Sequence, residues 1–254
     1  MKAHKKAHAW LKDIFHILKS NINIYSEPPE HYLGFTVEGK VPVVLLPGIG
    51  GTWSYLKNLG DKISHQGHPV YVVPELGKNL LSIPKSARIL HSLLLQLIPK
   101  KITPELIHKH AQIVSQFIEH HGLKAAVIVA HSKGGLIGKY LLAHFNQDHK
   151  VLGVIAVASP FSGSAIAKVI PHKAYHELHS GSGVVADLVK HSEVNKFIIS
   201  IYPSYDPAVW AQKGSFLEGA LANIEVPVTG HNTILDYSQV QEEVLKALDR
   251  ITHL

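Results

Sequence analysis

The chain has 254 residues, of which 46% are hydrophobic and 17% are charged, so it can bury the core of one ordinary domain and is not extensively disordered. Its formal charge of +6 comes from 25 Lys and Arg against 19 acids, but the basic residues are dispersed and no groove-reading motif occurs, which excludes nucleic acid as an expected partner. With no cysteine, the chain has neither disulfides nor thiol chemistry.

Residues 1–30 are predicted to form an amphipathic helix followed by a Pro-rich linker. Polar residues such as Lys12 and Asp13 interrupt the apolar run that a signal peptide or a transmembrane helix requires, so neither is predicted. We expect a cytoplasmic protein. Two alternatives remain open for the apolar side of the helix. It packs on the domain or on a second copy, or residues 1–22 adsorb peripherally to an anionic membrane. This side contains Ala7, Trp10, Leu11, Ile14, Phe15, Leu18 and Ile22.

Residues 31–254 show an alternation of strands and helices. Short apolar runs rich in β-branched residues predict buried strands at Val41–Leu46, Val70–Val73, Ala125–Ala130, Val151–Ala158, Phe197–Ile201 and Ile224–Val228. Helical patterns lie near Ser54–His65, Pro84–Gln96, Pro104–His121, Gly135–His144 and Ser238–Ile251. This order predicts one α/β domain with a mostly parallel central sheet and helices on both faces.

The first candidate for chemistry is Ser132, which stands between an apolar strand and a helical segment. A serine held at such a sharp turn needs small neighbours two positions away on each side, because the strand and the helix approach closely there. Ala130 and Gly134 meet this requirement. The alternative is a serine that only caps the helix. The position of Lys133 beside the serine leaves open whether its charge favours an anionic substrate or points outward.

A Gly-rich turn, residues 47–51, follows the first predicted strand. It ends in neither the Lys-Ser/Thr of a P-loop nor a Gly-x-Gly-x-x-Gly spacing, which argues against a nucleotide site. At this place the turn can instead present a backbone N–H toward Ser132. The N–H groups of Ile49 and Lys133 are therefore predicted to form an oxyanion hole.

A base and an acid are expected at later strand ends. His231 follows the last predicted strand on a Gly-preceded loop, from which it can reach the serine. Asp206 follows the strand Phe197–Ile201 through a predicted turn at residues 202–205, where an acid can orient the imidazole. Glu218 and Asp187 remain alternatives for the acid. The 20 histidines form no carboxylate-supported cluster with zinc-like spacing, so no metal or cofactor is expected.

The stretch around residues 162–196 is apolar and contains Gly181 and Gly183 as a candidate hinge. It is interpreted either as a small lid over the site or as an ordinary pair of covering helices. A mobile lid of this composition would suit an acyl chain as ligand.

Four segments together resemble the α/β-hydrolase superfamily, and most of all bacterial lipases and esterases of the triacylglycerol lipase type. They are Pro47–Gly51, Ala130–Gly135, Ala158–Ser164, and Leu217–Ala220 leading to Gly230-His231. The resemblance extends over Val41–Leu254. It departs from the family pattern at Pro47, where many such lipases have His, and at Lys133, where Met or Gln is usual.

The resemblance implies that Ser132 is the nucleophile and that Ile49 and Lys133 donate to the oxyanion, as the residues themselves predict. With Asp206 and His231 as the acid and the base, the expected function is hydrolysis of carboxylic esters through an acyl-enzyme, with a small-molecule or lipid ester as the substrate. An acyltransferase or a thioesterase on the same fold is the alternative, as is a non-catalytic membrane-associated protein.

Overall fold

The computed structural model describes residues 3–22, 27–49, 51–76, 106–164, 167, 173–209 and 214–253. Its strands are β1 (Val43–Leu46), β2 (Val70–Val72), β3 (Ala126–His131), β4 (Val151–Val157), β5 (Ile198–Tyr205) and β6 (Ala222–Thr229). They form one sheet in the order β2-β1-β3-β4-β5-β6, and every neighbouring pair is parallel. All six predicted strands are therefore confirmed, with ends shifted by a few residues.

The helices are α1 (Ala3–Ile22), α2 (His31–Gly34), α3 (Lys57–His65), α4 (Leu106–His120), α5 (Lys133–His144), α6 (Lys173–His176), α7 (Gly183–Lys190) and α8 (Ser238–Thr252). Apolar side chains of α3 and α8 pack on one face of the sheet, and those of α4 and α5 pack on the other. Because both faces are covered, β1 and β3 are buried along their whole length. The α/β fold with helices on both faces is confirmed, while the helix predicted near residues 84–96 lies outside the described residues.

Strand β5 continues through the residues that were predicted to form a turn. Residues 202–205 belong to the strand and pair with β6, with a register shift between Pro203 and Tyr205. Strand β4 pairs with β5 only as far as Ile201, so the missing N–H of Pro203 breaks no ladder on that side. The prediction of a turn was wrong because proline is tolerated where a strand extends beyond the last residue of the neighbouring strand.

The segment around residues 162–196 contains the short helices α6 and α7. Leu178, Val185 and Leu188 are buried, and the N–H of Ser164 donates to the carbonyl oxygen of Leu178 at 2.7 Å. The segment therefore packs against the domain in this conformation. Its interpretation as a lid, like the division of the chain at residue 30, stays a prediction.

Helix α1 packs on the domain, but not through its predicted apolar side. Its inner face is formed by Ala9, Asp13 and His16, which are all buried. The opposite face is exposed, with Leu11 at 65% and Phe15 at 70%. Polar contacts decide this orientation, because Asp13 accepts several hydrogen bonds from the domain. No helix among the described residues has both the length and the apolar character needed to cross a bilayer.

Candidate active site

Ser132 lies on a strained turn between β3 and α5. Its backbone angles are φ 53° and ψ −122°, a conformation that non-glycine residues rarely adopt. The N–H of Ser132 donates to the carbonyl oxygen of Val157 on β4 at 2.9 Å, which fixes the turn to the sheet. A Cβ on Gly134 would lie 2.5 Å from the carbonyl oxygen of Leu46, so the helix approaches β1 as closely as the sequence predicts. Strain of this kind persists only where the surrounding structure enforces it.

Three predicted site residues form one row of hydrogen bonds at the carboxyl edge of the sheet. Nε2 of His231 lies 2.8 Å from Oγ of Ser132, and Nδ1 lies 2.8 Å from Oδ2 of Asp206. A carboxylate can only accept, so Nδ1 carries the proton and Nε2 accepts from the serine hydroxyl. The other oxygen, Oδ1, accepts from the N–H groups of Ala208 at 2.7 Å and Val209 at 2.9 Å. All three side chains are buried.

The electrostatics of the row stabilise the charged form of His231, which arises when Nε2 takes up a second proton. Burial by itself would raise the pKa of Asp206, but the neighbouring imidazole and the two backbone N–H groups hold that pKa below its ordinary value. Burial would likewise lower the pKa of His231, yet the charge of Asp206 raises it above its ordinary value. The buried aspartate therefore stabilises a proton on the imidazole.

The Gly-rich turn lies directly beside the serine. A Cβ on Gly48 would be 3.0 Å from Cβ of Ser132, so the next residue, Ile49, begins close to the hydroxyl. Helix α5 starts at Lys133, whose N–H lies ahead of the first intrahelical hydrogen bond. Both predicted oxyanion donors thus belong to segments that adjoin Ser132 in space, and their role stays a prediction.

The side chain of Lys133 turns away from solvent and is paired. It is buried, and its Nζ lies 3.5 Å from Oε2 of Glu177, which is also buried. The other oxygen of Glu177 accepts from the N–H of Ile107, near the start of α4, at 3.3 Å. Burial lowers the pKa of Lys133, and Glu177 opposes that shift. The cation beside the serine is therefore neutralised by a carboxylate, and it does not point outward.

The two alternative acids lie elsewhere. Glu218 is exposed. Asp187, on α7, is hydrogen-bonded to Nε2 of His144 at 2.8 Å and lies 3.8 Å from Nδ1 of His191. Ligand atoms of these last three residues lie within 4.8 Å of one another and could hold a metal ion, a cluster that the sequence did not predict because it joins α5 to α7.

Two residues that touch His231 were missed by the sequence analysis. Nε2 of His131 donates to the carbonyl oxygen of His231 at 2.8 Å, and burial lowers the pKa of His131 to about 3, which keeps its ring neutral. Asp13 accepts from the N–H of His231 at 2.6 Å. His131 adjoins the serine in sequence, and Asp13 is the only acid among residues 1–22. These two features of the sequence could have marked His131 and Asp13 as candidates.

A parallel sheet that presents a strained serine at a strand-to-helix turn, beside a histidine and an aspartate from later strand ends, defines a class of α/β proteins. The family model of the alpha/beta hydrolase fold matches residues 41–178, more than half of the chain, and the chain belongs to this family. No curated protein sequence matches it significantly.

Solved structures share the fold at low sequence identity. The mature form of lipase BlEst2 from Bacillus licheniformis aligns with a TM-score of 0.58 and 15% identity, over 88% of this chain and 96% of that one. Lipase B from Aspergillus fumigatus aligns with a TM-score of 0.61 and 15% identity, over 88% and 55%. A membrane phospholipase A described as a bacterial virulence factor aligns with a TM-score of 0.55 and 13% identity, over 86% and 82%.

Proposed function

We propose that this protein is a serine hydrolase that cleaves carboxylic esters through an acyl-enzyme on Ser132. The observation that carries the proposal is the hydrogen-bonded row Ser132–His231–Asp206 at a strained turn. A hydroxyl is a weak nucleophile unless a base takes its proton, and this row supplies the base and the group that orients it. The shared fold with two lipases and a phospholipase is consistent with an ester substrate.

In the proposed reaction, Oγ of Ser132 attacks the ester carbonyl carbon while its proton passes to Nε2 of His231. The oxyanion of the tetrahedral intermediate accepts from the N–H groups of Ile49 and Lys133. Collapse breaks the bond to the alcohol, which leaves with the proton from His231. A water molecule then attacks the acyl carbonyl, His231 takes its proton and returns it to Oγ, and the carboxylic acid departs.

Hydrolysis of chromogenic esters with acyl chains of increasing length tests the proposal. We expect turnover by the wild type and a loss of at least about 10³-fold in kcat for Ser132→Ala, because the nucleophile is removed. Ser162→Ala is the matched control, since this serine is exposed, and it should retain full activity. Hydrolysis that persists in Ser132→Ala would contradict the proposal, and an inactive wild type would favour a non-catalytic protein.

The pH dependence follows from the raised pKa of His231. Its imidazole must be neutral to accept the serine proton, so kcat/KM for an uncharged ester should fall as the pH drops through this pKa. We expect the midpoint above 6.5, the ordinary pKa of histidine, because Asp206 and Asp13 both favour the charged ring of His231. The neighbouring His131 stays neutral in this pH range, so its own titration does not affect the profile. A pH–rate profile measures this. A midpoint at or below 6.5 would contradict the assignment of His231 as the base.

We further propose that helix α1 contacts an anionic membrane surface. Its outward face presents Trp10, Leu11, Ile14 and Phe15, all exposed. Lys12 is exposed and follows Leu11 directly, and the chain has a formal charge of +6. An apolar stripe beside a lysine, in a basic chain, fits a bilayer with anionic headgroups, which offers apolar depth and negative charge together.

Flotation with vesicles of phosphatidylcholine and phosphatidylglycerol tests this contact. Binding should weaken at least about tenfold in Leu11→Ser/Phe15→Ser, because two apolar side chains no longer enter the bilayer. Leu33→Ser, which alters an exposed leucine of α2, should bind as the wild type does. The proposal would be contradicted if the double variant bound the vesicles as strongly as the wild type. It would also be contradicted if the wild type did not bind anionic vesicles and dimerised through α1.

A further inference from the structure

Helix α1 supplies a buried carboxylate to the loop that carries His231. Asp13 is 5% exposed and contacts residues more than 200 positions away in the chain. Its Oδ2 accepts from the N–H of His231 at 2.6 Å. Its Oδ1 accepts from the N–H of Asn232 at 3.1 Å and from the N–H and hydroxyl of Thr233 at 3.0 and 2.9 Å. Four donors of one short loop thus converge on one side chain.

This carboxylate takes the place of a helix cap. A 3-10 helix, Thr233–Asp236, begins directly after the loop, and the residue at its N-cap position, Asn232, makes no capping hydrogen bond with its own side chain. The first N–H groups of a helix need an acceptor. Asp13 provides it from a different part of the chain.

The loop is shaped to admit this side chain. Gly230 has a φ of +115°, and a Cβ at this position would overlap Oγ1 of Thr233 and lie 2.9 Å from Oδ1 of Asp13. A side chain at position 230 would therefore obstruct the approach of the carboxylate. The close fit shows that the contact belongs to the packing of the loop and is not a chance surface encounter.

The backbone of His231 is held on both sides. Asp13 accepts from its N–H, and Nε2 of His131 donates to its carbonyl oxygen at 2.8 Å. The loop follows β6, the edge strand of the described sheet, so strand pairing holds it on one side only. Hydrogen bonds from other parts of the chain are therefore needed to keep the buried imidazole of His231 in one place.

We propose that Asp13 is a positioning residue for His231, so that the docking of α1 completes the active site. This inference rests on the proposed function of His231 as the base. Asp13 fixes the peptide groups from which the imidazole projects, while Asp206 fixes the ring itself. Small displacements of a catalytic group reduce rates strongly, since a misplacement of about 1 Å can lower a rate by about 10²-fold.

Steady-state kinetics of Asp13→Ala and Asp13→Asn, beside His8→Ala as the matched control, test the proposal. His8 is an exposed residue of the same helix, α1. In Asp13→Asn, the shape remains but an NH₂ group faces N–H donors of the loop. We expect kcat to fall about ten- to a hundredfold with KM changed less than about twofold, and His8→Ala to match the wild type.

Two further readouts separate positioning from mere stability. The groups that face His231 are Asp206, His131 and Asp13, and the Asp13 charge favours the protonated ring. The acid midpoint of kcat/KM should therefore move to lower pH in both variants. Amide hydrogen exchange in a peptide covering residues 230–237 should also become faster, with thermal unfolding recorded to correct for stability.

A folded Asp13→Asn that keeps kcat within twofold, or variants that lose thermal stability without any shift of the acid midpoint, would overturn the proposal. These results leave the proposed function intact if Ser132→Ala is inactive. A wild type without Ser132-dependent turnover would overturn the proposed function and this role together, so the two failures are distinguishable.

Discussion

Replacing Asp206 by Asn is expected to lower kcat for ester hydrolysis by about 10⁴-fold while the protein stays folded. The Asn oxygen can still accept from the N–H groups of Ala208 and Val209, which keeps the side chain in place. Its NH₂ group then faces Nδ1 of His231. A donor at that position forces the proton onto Nε2, and Nε2 can no longer accept the proton of Ser132.

The control for this experiment is Asp187→Asn, which alters the other aspartate considered for the acid. Asp187 pairs with His144, which lies at the opposite end of α5 from Ser132, so this variant should keep kcat within about twofold of the wild type. The measurement is steady-state hydrolysis of one chromogenic ester, with circular dichroism to verify folding. The assignment of Asp206 would be wrong if the two variants lost comparable activity, or if Asp206→Asn lost less than tenfold.

Replacing Gly134 by Ala should damage both stability and activity. The added methyl group would lie 2.5 Å from the carbonyl oxygen of Leu46 and 3.0 Å from that of Pro47. Both are backbone atoms at the end of a buried strand, so α5 must move instead. We expect a loss of about 3 kcal/mol in the free energy of unfolding. We also expect about 10²-fold lower kcat, because Ser132 is displaced with the helix.

Gly183→Ala is the matched control, since this glycine also stands in the first turn of a helix, α7, and a Cβ there meets nothing within 4 Å. Its free energy of unfolding should equal that of the wild type or exceed it slightly. Urea unfolding and ester hydrolysis measure the two effects. If Gly134→Ala matched Gly183→Ala in both, the close approach of α5 to β1 would not matter to the site.

The parts of the site that are local in sequence could be predicted. The small residues around Ser132 reflect a steric need within five positions, and the structure shows the close approach at Gly134. His231 and Asp206 could be located because parallel strands end at one edge of a sheet. Asp206 lies beside His231 although the predicted turn before it is strand, since the topology fixes the strand end more firmly than its last residues.

Contacts between distant segments could not be predicted. The apolar stripe of α1 suggested which side would be buried, yet the helix turns that side outward because Asp13 finds four donors on the loop after β6. A hydrophobic pattern reports apolar positions and does not identify the partner of a polar one. The cluster His144, Asp187 and His191 was missed for the same reason, since two helices bring it together.

The most direct test of the account is labelling of the native protein with a fluorophosphonate, which phosphonylates an activated serine and releases fluoride. We expect one adduct by intact mass, located on Ser132 by peptide mapping, and no adduct in His231→Ala or after unfolding. A native protein that stays unlabelled, or that is labelled equally at another serine in Ser132→Ala, would contradict the claim that His231 activates this hydroxyl.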